Sequence, residues 1–262
     1  MKRAALLAVA VMCVVGTAQA ASIGVNFVNF RVNSQQNQAG YVLLPTESAG
    51  VEAQQNWNNY SMSNDTTGRI EWDPDAGDSG EWVRDIIDPT YIDSAGNDTG
   101  LDISWDIGGG WDAWGSVYSA DGSSDGDRKL MSGNAMAVND ISLSNVPYTT
   151  YDLIVYVAGQ GGQAADQSVT VSGDDFTDIT KYVTKASGST TIHTESDSTD
   201  SSAYEVGTYV RFNGLSGDST INIGGNLSDI STGFQIVPEP ATMALLAFGG
   251  LGVLLRRRRS RS

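Results

Sequence analysis

The sequence is poor in cysteine, histidine, proline and basic side chains. Its 262 residues include one cysteine, one histidine and six prolines. The cysteine, Cys13, stands in an apolar stretch near the N-terminus, so the rest of the chain has no thiol. That excludes a disulfide framework, a thiol nucleophile and a cysteine-ligated metal from the body of the protein. With His193 as the only imidazole, a zinc site could draw on one histidine at most. A histidine base also needs a nucleophile and an orienting partner, and the neighbours of His193, Thr190 to Glu195, nominate neither. Basic residues are scarce where it matters. All acidic residues except Glu239 fall within 21–237, while seven of the 15 basic residues lie in the two ends. The acidic body excludes nucleic acid and anionic lipid as partners and favours cations. Helical periodicity, a βαβ pattern and an internal repeat are also lacking, which argues against a doubly wound fold and against a solenoid.

What is present begins at the ends. Lys2 and Arg3 precede the apolar run Ala4 to Gly16, and Ala18-Gln19-Ala20 supplies small residues for a peptidase. This is the pattern of a secretory signal removed after Ala20, with signal peptidase as the partner. At the other end Val237-Pro238-Glu239-Pro240 precedes a fifteen-residue apolar run, 241–255, followed by Arg256, Arg257, Arg258 and Arg259. As a helix the run rises only about 22 Å, short for a hydrocarbon core of about 30 Å. The arginines favour the cytoplasmic side of a membrane. These three ordered parts resemble the PEP-CTERM sorting signal. The resemblance implies processing by an exosortase-like enzyme after a transient stay in the inner membrane. It further implies a final place on the outer surface or in the extracellular matrix of a Gram-negative bacterium, often beside exopolysaccharide.

Between the ends, residues 21–237 suit a single domain. Short apolar–polar alternations recur between Gly, Ser, Asn and Asp turns. Strands are expected at Ile23–Phe30, Leu101–Ile107, Trp114–Tyr118, Val138–Leu143 and Tyr151–Val157. More follow at Ser168–Ser172, Asp178–Val183, Thr190–His193, Val206–Phe212, Thr220–Ile223 and Phe234–Val237. Val51–Trp57 reads as a short helix or a covering loop. Asn145–Pro147 and Gly214–Gly217 read as turns whose Val146 and Leu215 plug the ends of a core. The expected class is all-β, a β-sandwich or jelly roll, with a C-terminal hydrophobic helix. Three short motifs, Ile23-Gly24-Val25-Asn26-Phe27, Asn56-Trp57-Asn58-Asn59 and Gly233-Phe234-Gln235-Ile236-Val237, resemble the β-rich bodies of planctomycete-type PEP-CTERM proteins. That resemblance implies a sandwich similar to galactose-binding-like domains and carries over no catalytic residue.

Two kinds of site are expected. All six tryptophans lie between 57 and 114, and indoles can stack on sugar rings while amides and carboxylates bond the hydroxyls. Trp57, Asn58 and Asn59, and Trp111, Asp112 and Trp114, have that composition. The opposing reading is that the rings fill the core, and Trp105, in line with Leu101 and Ile103, fits it best. Asp73, Asp75 and Asp78, and Asp121, Asp125 and Asp127, form two short acidic loops with the oxygen ligands a structural calcium wants. Neither has the EF-hand spacing, and in so acidic a body such clusters also arise by chance. No catalytic residue and no resident cofactor is nominated. The expected function is a non-catalytic exported surface or matrix protein, sorted through Val237–Pro240 and Arg256–Arg259. The alternative is a module that binds exopolysaccharide through exposed tryptophans, and the third reading is a glycan-active enzyme.

Overall fold

A computed structural model describes residues 21–28, 42–61, 68–73, 81–85, 90–110, 126–131, 135–157, 166–185, 193–225 and 230–239. Among them run thirteen strands and one five-residue helix, α1 (Gly126–Leu130). The strands are β1 (Ile23–Val28), β2 (Asn58–Ser61), β3 (Gly68–Asp73), β4 (Glu81–Asp85), β5 (Asp102–Gly110), β6 (Ala135–Ser144) and β7 (Tyr151–Val157). The set continues with β8 (Asp166–Gly173), β9 (Phe176–Lys185), β10 (Glu205–Gly207), β11 (Tyr209–Leu215), β12 (Ser219–Gly225) and β13 (Ile230–Pro238).

The strands form two mixed sheets. One runs β5-β6-β12-β8-β9-β10 and the other β4-β3-β2-β1-β13-β7-β11. They are joined where Ile230 and Ser231 pair with Met136 and Ala135. Most pairings among the described residues are antiparallel, but β1–β2 and β9–β10 are parallel. Period-two alternation decides what each face buries. Val169 and Val171 of β8, Val183 of β9, Ile221 of β12 and Ile141 and Leu143 of β6 turn inward from the first sheet. From the second come Ile23, Val25 and Phe27 of β1, Leu153 and Val155 of β7, Val210 and Phe212 of β11, and Phe234 and Ile236 of β13. One core is therefore shared by both sheets.

The second sheet is buried on its other face as well. Ile154 and Tyr156 of β7 and Val237 of β13 pack in a second cluster with Leu43, Ala49, Trp57, Leu130, Met131 and Tyr209. The cover is the 42–57 segment together with α1. The apolar spelling of β7, unbroken from Leu153 to Val157, follows from this double burial.

The expected strand Tyr151–Val157 has the bounds of β7. Val206–Phe212 is not one strand. It breaks at Thr208, because β10 pairs with β9 in the first sheet whereas β11 pairs with β7 in the second. The chain turns a corner between sheets there. Val51–Trp57 is not a helix but a series of turns closed by an Ala49–Gln54 bridge. Val146 packs against the shared core and Leu215 lies in it, as expected, with Asn145 and Gly214 at φ 55° and 68°. β2, β3 and β4 were not expected. His193 lies in irregular backbone outside any strand. The expected strand Trp114–Tyr118 lies outside the described residues.

Ala21–Val237 makes up one compact unit. Of Met1–Ala20 and Pro238–Ser262, only Pro238 and Glu239 are described, so the expected signal peptide, hydrophobic helix 241–255 and Arg256–Arg259 lie outside. Among the described residues no helix is long and apolar enough to cross a membrane.

Candidate functional site: the strand that carries the C-terminal motif

The three short motifs of the sequence come from distant parts of the chain and meet in one place. β1 pairs antiparallel with β13, matching Gly24 with Gln235 and Val25 with Phe234. It pairs parallel with β2, matching Val25 with Asn58 and Asn26 with Asn59. The result is a three-strand unit, β13-β1-β2, whose outer face carries an indole and a set of amides.

Trp57 is a buried residue, 4% exposed. A Cβ on Gly24 would stand 2.7 Å from its ring, and one on Gly50 would stand 2.8 Å from it. The indole therefore lies in a slot that two glycines leave open. Its Nε1 donates to the Gln54 carbonyl at 3.1 Å, and its ring meets Tyr156 edge-on at 6.2 Å. Asn58 and Asn59 are equally interior. Asn58 Nδ2 donates to the carbonyls of Gly24 and Ile92, and its Oδ1 accepts from Ile92 N. Asn59 Nδ2 donates to the Leu43 carbonyl, and its Oδ1 accepts from Leu43 N and from Asn26 Nδ2. Each asparagine thus acts as a strand neighbour for a loop that has none. Trp57, Asn58 and Asn59, expected as a sugar platform, are all buried in this structure. The amides are spent on backbone groups, and the ring faces the interior.

Tyr156 ties the cover down. Its hydroxyl donates to Gln235 Oε1 and accepts from Val51 N at 2.8 Å. Gln235 Nε2 donates to the Glu52 carbonyl at 2.8 Å and to Gln54 Oε1 at 2.9 Å. Burial pushes the Tyr156 phenol well above its ordinary range. Beside it, Arg211 donates to Glu52 at 2.7 Å and to Asp152 at 3.3 Å. Burial opposes the guanidinium's charge, but these two carboxylates outweigh it and raise its pKa.

His193 Nε2 stands 3.1 Å from Asp127 Oδ1 on α1. Neither ring nitrogen has an aligned hydrogen bond among the described residues. Asp127 Oδ1 accepts from Gly50 N at 2.7 Å and so holds α1 to the cover. Asp73 ends β3. Asp75, Asp78, Asp121, Asp125, Trp111, Asp112 and Trp114 lie outside the described residues. No group of three metal-ligating side chains is found among those described. Trp72 and Trp82 hold directly opposed register positions on β3 and β4. Gly122-Ser123-Ser124-Asp125-Gly126 has the letters of a nucleophile elbow, yet that motif needs a strand of an α/β sheet beneath it, and 122–125 lie outside the described residues. Sequence reasoning missed Tyr156 and Gln235. The signal for both was an apolar strand with no polar face, which requires cover on either side.

β13 itself leads out of the core. Ile236 is fully buried opposite Ile23, Val237 is 7% exposed in the second cluster, Pro238 is buried and Glu239 is exposed. Residues 237–259 match the PEP-CTERM protein-sorting motif. The PEP-CTERM motif implies export, cell-surface targeting in a Gram-negative bacterium and processing by an exosortase. It begins on the last core residue, with no linker before it. No curated protein and no solved structure matches the chain.

Proposed function

We propose that this protein is an exported, non-catalytic component of a bacterial surface or extracellular matrix, held briefly at the inner membrane by its apolar run and then processed through its C-terminal signal. The observation that carries this reading is the PEP-CTERM match at 237–259, which starts where the folded body stops. Absence of catalysis is supported by the way polar side chains are used. Asn58, Asn59, Gln235, Tyr156 and Asp127 all bond to backbone or to one another inside the protein. The body is read as a sandwich akin to galactose-binding-like and planctomycete-type PEP-CTERM bodies, supported by the shared core and by the three motifs that adjoin. The reading includes no resident cofactor. Calcium enters as a counter-ion that bridges the acidic surfaces of neighbouring copies. The test is intact-mass analysis of the protein from its producing cell. A product lacking the first twenty residues and the arginine tail is expected, and a steady-state chain that still carries Arg256–Ser262 would refute the reading.

A further inference from the structure

Processing by an exosortase requires the Pro-Glu-Pro segment to enter an enzyme cleft, and a cleft takes extended peptide on both sides of the bond it attacks. In this chain the residues just before Glu239 are already in use. Val237 is packed in the second cluster, Pro238 is buried as the last residue of β13, and Ile236 is paired with Ile23. The neighbouring strand is itself held at its start. Ser94 N donates to the Ser22 carbonyl at 2.7 Å, and the Tyr148 hydroxyl donates to the carbonyl of Ala21.

We propose that the end of β13 is a substrate-side determinant of processing: the folded body withholds Val237, and the enzyme engages the motif only in molecules whose last strand has frayed. Val237 is the positioning residue. This inference rests on the reading that the C-terminal motif is processed. The observed rate is the enzyme's intrinsic rate multiplied by the frayed fraction. Exposing one valine and its flanking pairing lowers that fraction by about ten- to a hundredfold.

The experiment uses the full-length chain in a host with an active sorting system, followed by pulse-chase and mass analysis of tail loss. One variant inserts six Gly/Ser residues between Ile236 and Val237, which leaves the motif at 237–259 whole. A second is Val237→Ala, and a third, Glu239→Ala, spoils the motif. Thermal melting of the processed bodies checks that the insertion leaves the fold intact. The linker variant should lose its tail at least about tenfold faster than the parent, Val237→Ala should fall between them, and Glu239→Ala should be slowest. Equal or slower conversion of the linker variant overturns the inference alone, since the motif would then be fully presented by the folded body. Tail retention in every chain, linker variant included, overturns the underlying reading and the inference with it.

Discussion

Gly24→Ala is the sharpest test of the three-strand unit, because two physical effects there have opposite signs. Gly24 lies inside β1, and its φ is not among the positive values found in the chain. On backbone grounds alone, replacing a glycine in such a conformation with alanine stabilises by about 0.4–1 kcal/mol through the unfolded state. The added methyl, however, would sit 2.7 and 2.8 Å from two ring carbons of Trp57 and 2.6 Å from Gln54 Nε2. The indole cannot retreat freely, since Gly50 closes its far side and Tyr156 meets its ring. Overpacking of this kind costs about 1–3 kcal/mol. The net expectation is a loss of about 1–2 kcal/mol. For a body of this size that lowers Tm by roughly 2–8 °C, at about 2–4 °C per kcal/mol. The assay is thermal and urea denaturation of the 21–237 body, with the cycle completed in a Trp57→Leu background. There the ring is gone and the sign should reverse, so that Gly24→Ala becomes neutral to stabilising. A neutral or stabilising Gly24→Ala in the parent, or the same loss in both backgrounds, would refute the slot.

Three further outcomes are expected. Asn59→Ala strands Leu43 N and Leu43 O in the interior, and should cost about 2–4 kcal/mol by urea denaturation, more than an exposed Asn97→Ala. The Tyr156 phenol, raised in the folded state by burial, contributes stability that is complete below its unfolded pKa near 10 and is lost as pH rises beyond it. The slope above pH 10 should therefore be negative, by up to about 1.4 kcal/mol per pH unit for this group, and Tyr156→Phe should make it shallower. Calcium at millimolar levels should raise light scattering by the processed protein, reversibly with chelator, while its Tm changes little. A Tm rise that saturates with calcium would instead mean a built-in site.

The strands were legible where one rule governed them. β7 and β8 are β-prone runs whose alternation or continuity states their burial, and both lie within a residue or two of where the pattern places them. β3 and β4 escaped because Gly68–Asp73 and Glu81–Asp85 are short and rich in charge. Thr208 breaks a good strand pattern because the chain changes sheets there, and that depends on partners no local window contains. The amides misled for a related reason. Asn58 and Asn59 look solvent-loving in sequence, but each can satisfy a backbone N–H and C=O at once, as a strand neighbour would. A polar neighbourhood in sequence therefore said little about whether Trp57 met water. The C-terminal motif needed no partners to be read, since its order along the chain is its content.

The pairing of β1 with β13 also sets a timetable. Among the described residues the first strand of the body has two neighbours, β2 and the strand that ends at Pro238. A chain that emerges N-terminus first must therefore carry Ile23, Gly24, Val25 and Asn26 with one side unmatched until more than two hundred residues have followed. Contacts so far apart in sequence form late, because their loop must close before they reward it. The second sheet is completed beside β1 by the residues that lead directly into the motif. Completion of the body and arrival of its address are thus one event in the life of the chain, and a truncation that removed the address together with β13 would leave the first strand without that partner.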